Sequence, residues 1–222
     1  MVMVNTAFVG STMVQVIQAQ NTTLSFLEEK FALQLAEEQG FFPEWFENLP
    51  EITDLEKQYL DRVKNNFLRL VKHPPILEDA VKMVVLSPLL DLAGFYEDPF
   101  FVTTEKSIEL AVEAKTQEEI VKGRIDVLVV QDQLWLLVIE SKRASFSLLE
   151  AIPQALAYML ANPDTTKPVF GLVLNGEDLQ FIKLTQKDKP IYALSDKFTL
   201  FRRNNELYQV LGILKKLGQI IS

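Results

Sequence analysis

The sequence predicts an α/β domain on a mixed sheet, preceded by an acidic, mainly helical N-terminal layer. Three observations lead there. Capping boxes open helices at Ser25-Phe26-Leu27-Glu28, Thr53-Asp54-Leu55-Glu56 and Ser147-Leu148-Leu149-Glu150. From Phe100 onward the pattern changes to short runs of β-branched and large apolar residues. The run 134–142, the helix 147–162 and the run 169–174 have the lengths of a βαβ crossover, which joins two parallel strands.

The first box predicts a helix over 25–39, with Gly40 where a helix would stop. Residues 41–51, with Pro43 and Pro50, read as a loop. After the second box, Leu55, Tyr59, Val63, Phe67 and Leu70 follow at helical spacing until Pro74-Pro75 ends the run. These elements make residues 1–72 the N-terminal helical layer and 73–222 the main domain. A third helix can open at Pro75 and run through Leu86, with Ser87-Pro88 expected to kink or break it. Phe100–Thr104 and Ser107–Glu113 read as two short strands. Arg124–Val130 and Leu134–Lys142, parted by Gln131-Asp132-Gln133, read as a hairpin. The third box opens the helix to about Asn162, with Pro153 in its first turns. Val169–Leu174 and Leu179–Leu184 flank the turn signal Asn175-Gly176, and Glu206–Leu217 closes the chain as an amphipathic helix.

Composition removes several chemistries. The chain has no cysteine, so disulfides, zinc–thiolate centres and cysteine nucleophiles are out. Its one histidine, His73, excludes any two-histidine metal motif, and no G-x-S-x-G surrounds a serine. His73 reads as a plain loop residue in Lys72-His73-Pro74-Pro75. The net charge of −8 is uneven: residues 1–60 hold nine acids and two bases. Bulk attraction to nucleic acid is therefore absent, and such binding needs local basic patches. Lys142–Arg143, Lys183/Lys187/Lys189 and Arg202–Arg203 are the candidates. Residues 1–20 carry no charge, so no basic region precedes a signal peptide, and Asn5, Gln15, Gln18 and Gln20 interrupt the apolar stretch. No run has the length of a membrane span. The expectation is a soluble, cytoplasmic protein with no membrane partner.

Chemistry concentrates on the hairpin. In Leu134-Trp-Leu-Leu-Val-Ile-Glu140-Ser-Lys142, six apolar residues lead to an ionisable pair on one face of the strand. Burying such charges is costly without a reason. Asp126 is likewise a lone acid in the apolar run 125–130. With a three-residue loop centred on Asp132, Asp126 faces Val138 and Glu140 is its same-face diagonal neighbour. Such neighbours lie about 7–8 Å apart, close enough to share a metal ion. A two-residue loop would shift the pairing by one and separate them. Two carboxylates suit Mg²⁺, which keeps several waters and takes a phosphate oxygen. Lys142 can lower the pKa of a bound water or steady a developing oxyanion.

Asp126 followed after a short hairpin by Glu140-Ser141-Lys142 resembles the PD-(D/E)XK nuclease superfamily. Gln154-Ala-Leu-Ala-Tyr158 resembles the Q-x-x-x-Y motif of RecB-like nucleases and of the nuclease domain of type I restriction-enzyme R subunits. Its spacing puts Gln154 and Tyr158 on one helical face. The order helix, three strands, helix, strand matches the core of that superfamily, over roughly residues 75–185. The resemblance implies a restriction-endonuclease-like fold and a DNA endonuclease using Mg²⁺, with Mn²⁺ as a substitute. It implies Asp126, Glu140, Lys142, Gln154 and Tyr158 as catalytic residues. Asp126, Glu140 and Glu78 are the implied metal ligands, Glu78 matching an acid that many members place near the ion. Ile125 stands where many members have proline. Gly171 and Gly176 have P-loop spacing, but Glu177-Asp178 follow in place of Lys-Ser/Thr, so no helicase motor is expected. DNA is the expected partner, with a helicase or specificity subunit supplied in trans.

Bland readings stand beside these. Asp126, Glu140 and Lys142 can form a structural ion-pair network. Gln154 and Tyr158 can be a helix surface pair, and Glu78 can pair with Lys82 four residues on. The alternative function is a non-catalytic DNA- or protein-binding module on the same fold.

Overall fold

The computed structural model describes residues 5–9, 12–112, 118–131, 134–143 and 146–220. The chain begins with β1 (Asn5–Val9) and β2 (Thr12–Gln18), then α1 (Leu24–Phe31), the short β3 (Gln34–Leu35) and α2 (Asp54–Leu70). A continuous helical segment follows: α3 (Glu78–Val81), a π turn (Lys82–Leu86) and α4 (Ser87–Leu92). Next come β4 (Phe100–Val112), β5 (Glu118–Gln131), β6 (Leu134–Ser141), α5 (Leu148–Leu160) and β7 (Val169–Leu174). β8 (Asp178–Thr185), β9 (Ile191–Thr199) and α6 (Leu207–Ile220) close it. This is a mixed α/β architecture with the helix, three-strand, helix, strand order of a restriction-endonuclease-like core.

The strands form one sheet in the order β1-β2-β5-β6-β7-β8-β9-β3, with β4 on the opposite edge of β5. β6 and β7 are parallel, joined by α5, as the βαβ lengths predicted. The long β5 holds the key to the topology. One edge pairs with β4 along nearly its whole length. The other edge is divided: residues 118–122 pair in parallel with β2, and residues 127–131 pair antiparallel with β6. The stretch 123–126 between them has no ladder partner on that edge in the described pairings.

Apolar side chains fill both faces of the sheet. On β6, Leu137 and Ile139 pack with α2, α4 and α6, while Val138 packs with α5. That alternation is the period-two geometry of a strand buried on both sides. Phe42, Leu60, Val63 and Phe67 of the N-terminal layer sit in the same cluster as Leu137, Phe170 and Leu214. The N-terminal half of α2 is tied to α6 and to the residue Asn205 just before it. Glu56 bonds Lys215, and Asp61 accepts from Tyr208 Oη at 2.6 Å and from Asn205 Nδ2 at 3.0 Å.

Several expectations need correction. The first 72 residues are not helical throughout: β1, β2 and β3 join the sheet, because edges of β5 and β9 would otherwise lack hydrogen-bond partners. The first helix is shorter than 25–39. Thr23, not Ser25, caps it, and Ala32 leaves it at φ 53°, after which the chain extends to pair with β9. Gly40 lies in a 3₁₀ turn instead of ending that helix. Ser87-Pro88 does not break the third helix. A proline ring clashes with the carbonyl four residues back, and the wider π turn just before it relieves that clash. The two runs 100–104 and 107–113 form one strand, bent where Glu105 takes φ 54°. Glu113 itself lies outside the described residues. β9 was not anticipated at all; its burial alternates only weakly.

Candidate active site

The β5–β6 register decides whether the two lone acids meet. Gln131 pairs with Leu134, so the loop is two residues, Asp132 and Gln133, which lie outside the described residues. A two-residue loop alone would turn Glu140 away from Asp126. A bulge then intervenes: Val130 pairs with Trp135, but Val129 pairs with Leu137, leaving Leu136 as the extra residue of β6. Beyond it Val127 pairs with Ile139. One further step sets Asp126 opposite Glu140. The premise of a three-residue loop is wrong, and the bulge restores the shared face by a different route.

At this point β5 leaves β6, and a cleft of about 580 Å³ opens, lined by Asp126, Glu140, Lys142, Gln154 and Tyr158 among others. The Ser141 N–H donates to Asp126 Oδ2 at 2.8 Å, and Lys82 Nζ lies 3.3 Å from Oδ1. Lys142 Nζ bonds Glu140 Oε1 and donates to Gln154 Oε1 at 3.0 Å. Gln154 Nε2 donates in turn to Tyr158 Oη at 2.6 Å. Tyr158 Oη also accepts from the Arg124 backbone N–H, one of the groups on the unpaired stretch of β5. The two motif residues on α5 are thus buried members of a chain running from Lys142 to the backbone of β5, not a helix surface pair.

Electrostatics mark Glu140. Its side chain is 2% exposed, and Oε2 has no hydrogen-bond partner. Burial, reinforced by the Asp126 charge, pushes its carboxyl up to about 8 despite Lys142. Burial likewise raises Asp126, only partly opposed by Ser141 N–H and Lys82. Burial and the Glu140 charge raise the Tyr158 phenol well above its ordinary value. Burial disfavours the Lys82 ammonium, but Glu78 and Asp126 outweigh it and raise its pKa. Two carboxyls that resist ionisation, the buried Glu140 with an orphan oxygen and the partly buried Asp126, are a donor set suited to a hard divalent cation.

The type I restriction enzyme R protein N terminus family (HSDR_N) matches residues 25–190. The chain belongs to this family. No curated protein matches it. The matched span holds all six residues singled out in the sequence, Glu78 included. Membership ties the chain to DNA restriction and to the other subunits of such enzymes. Among the described residues, no helix is long and apolar enough to cross a membrane.

Glu78 lines the same cleft as the other two acids and is held there in an ion pair. Its carboxylate binds Lys82 at 2.6 Å, and Lys82 reaches Asp126 from the other side. Among the described residues no three His, Asp or Glu side chains are placed to hold one ion. The π turn begins at Lys82, one helical turn after Glu78, so both face β5. The basic patches proposed from sequence are mostly spent on structure. Lys183 binds Glu44 at 2.6 Å and the Phe41 carbonyl at 2.9 Å, Arg202 binds Glu206 at 2.8 Å, and Arg143 stacks 5.3 Å from the Phe146 ring centroid.

Sequence reasoning missed four charged cleft residues. Glu105, Glu109, Lys122 and Arg124 all line it. The spacing 122, 124, 126 put three charges on alternate positions of one strand, a signal that was available. Gly123 was missed as well. A methyl there would come within 2.7 Å of Tyr158 Cε1 and 2.8 Å of Ala19 Cβ, so only glycine lets α5 and the end of β2 close on β5.

Proposed function

We propose that this chain is an endonuclease that hydrolyses DNA phosphodiester bonds with a divalent ion, Mg²⁺ in the cell and Mn²⁺ as a substitute. The observation that carries the reading is the buried, unpartnered Glu140 Oε2 beside Asp126 and Lys142 at the mouth between β5 and β6. Asp126 and Glu140 would hold the ion, and Mg²⁺ is commonly bound through one or two carboxylates plus waters and substrate phosphate. A bound ion of this kind stabilises charge on a pentacoordinate phosphorus and makes water a better nucleophile.

The chain's own residues do the rest. Lys142 fixes Glu140 Oε1 and presents a compact positive charge where an oxyanion develops. Gln154 holds Lys142 through its carbonyl and is itself held by Tyr158, so the ammonium is pre-aimed. The Ser141 N–H orients Asp126. Glu78 acts through Lys82, as the anchor of a cation beside Asp126. The partners fitting this reading are DNA and a motor or specificity subunit in trans.

Calorimetric Mn²⁺ binding beside a DNA-cleavage time course tests it. Asp126→Ala and Glu140→Ala should each weaken ion binding and abolish cleavage. A parent protein that binds the ion but cuts no DNA, alone or with partner subunits, would leave the non-catalytic module.

A further inference from the structure

Four cations stand in or beside the cleft, and each meets a carboxylate. Lys142 meets Glu140, Lys82 meets Glu78, Lys122 meets Glu109 at 2.6 Å, and Arg124 meets Glu105 at 3.4 Å. The first two belong to the machinery already described. The Lys122 and Arg124 side chains have no part in it, yet they line the same cleft as Asp126 and Glu140.

Their placement on β5 is ordered. Lys122, Arg124 and Asp126 occupy alternate positions, so the two cations lead step by step towards the acid. Alternate residues of a strand lie about 6.6–6.8 Å apart, which spaces the charges on the scale of one nucleotide step. Ile125, between Arg124 and Asp126, is fully buried, as is Val121 before Lys122, whereas the Lys122 and Arg124 side chains are 40% and 67% exposed. The edge of β5 beside them has no ladder partner over 123–126 in the described pairings, because pairing with β2 ends at Lys122 and pairing with β6 begins at Val127. Gln18 and Gln20 line the same opening and bring uncharged polar groups.

Both acids come from β4. Glu109 is the direct cross-strand partner of Lys122, and Glu105 sits at the bend of the strand, diagonal to Arg124. Exposed ion pairs of this kind are weak and screened by salt. A backbone phosphodiester carries the same single negative charge as a carboxylate, and a strand offering successive phosphates can take the place of both acids.

We propose that Lys122 and Arg124 form a phosphate track that guides one DNA strand to Asp126 and Glu140, covered in the free protein by Glu109 and Glu105. The proposal rests on the nuclease reading above and names where its substrate lies. It also explains how a chain of net charge −8 can hold DNA. The attraction is confined to two positions and is available only when the acids yield.

The test is fluorescence anisotropy of labelled single-stranded and duplex DNA with the full chain in metal-free buffer, across 50–200 mM salt. Each phosphate contact contributes about 0.7 to the slope of log affinity against log salt for single strands, and about 0.9 for duplex. Lys122→Gln/Arg124→Gln should lower the single-strand slope by about 1.4. Its deficit against the parent should therefore shrink about sevenfold between the two salt limits. Glu105→Gln/Glu109→Gln should bind DNA more tightly than the parent. Lys187→Gln/Lys189→Gln, which removes the same charge from an exposed turn outside the cleft, should keep the parent slope. Thermal melts show that each variant folds. If the Lys122/Arg124 variant keeps the parent slope, or the Lys187/Lys189 variant loses as much, the track is wrong. Cleavage by the parent in that case leaves the nuclease reading standing. A parent that neither binds nor cuts DNA overturns both.

Discussion

Lys142 and Tyr158 carry charge and satisfaction, respectively, in one buried chain of hydrogen bonds. Lys142→Ala removes the cation aimed at the developing charge but no ion ligand. Turnover should fall about 10²–10³-fold, roughly 3–4 kcal/mol of transition-state stabilisation. Loss of Lys142 also pushes the Glu140 carboxyl further up. Compared at a pH where Glu140 is ionised in both proteins, ion affinity by calorimetry should stay equal or tighten, because like charges repel. Parent-like cleavage by this variant would return the cluster to a structural ion-pair network. Tyr158→Phe keeps the ring but strands two donors, Gln154 Nε2 and the Arg124 N–H. Leaving buried donors unpaired costs about 1–3 kcal/mol, to be read as a lower denaturation midpoint at unchanged m-value. Gln154→Ala should slow cleavage less than Lys142→Ala, since a neutral amide only positions the charge.

At the scale of elements, two devices can be tested apart from the chemistry. The bulge in β6 sets the register that faces Glu140 towards Asp126. Deleting Leu136 should slip the end of β6 by one residue, turn Glu140 and Lys142 to the opposite face, and abolish both Mn²⁺ binding and cleavage. A deletion variant that still binds the ion would mean that the strand finds its register elsewhere. The second device is the α2–α6 seam. Hydrogen bonds from Tyr208 and Asn205 hold the Asp61 carboxyl below its ordinary 3.8. Burial would raise Glu56, but Lys215 and Thr53 hold it below 4.5. A lowered carboxyl stabilises the fold above its unfolded pKa, and that contribution is lost as pH falls through the folded value. Amide protection factors in α6, taken relative to the intrinsic rate at each pH, should therefore fall as pH drops below about 4. Tyr208, raised to about 12 by its bond to Asp61, works in the opposite sense. Its contribution is present below pH 10 and disappears as pH climbs through 12. Asp61→Asn should flatten the response of α6 at the acid end.

For the whole molecule, the sheet is a shared wall between two apolar clusters. Phe67 from the N-terminal layer lies in one, against the Asn175-Gly176 turn, and Leu156 from α5 lies in the other. If the layers fold as one unit, Phe67→Ala and Leu156→Ala should each lower the same single calorimetric transition. Each should cost about 2–5 kcal/mol, the usual range for a cavity of that size. Two transitions, with only one moved by each substitution, would instead divide the chain near residue 72.

By itself the sequence determined the elements that local chemistry specifies. The capping box at Thr53, the apolar runs of β6 and β7, the Asn175-Gly176 turn and the spacing of Gln154 and Tyr158 each fix a local conformation through neighbours a few residues away. It also singled out Asp126, Glu140 and Lys142, because ionisable residues inside apolar runs are conspicuous at any register. Only the tertiary structure decided how these pieces meet. Register depends on a bulge that no propensity marks, and β1, β2 and β3 are strands only because an open sheet edge supplies their partners. Lys82 and Glu78 acquire their roles from a π turn set by a proline two positions beyond it. Long-range contacts of this kind have no signature in a single stretch of chain. They arise from backbone hydrogen bonds and buried charges that must be satisfied wherever folding brings them together.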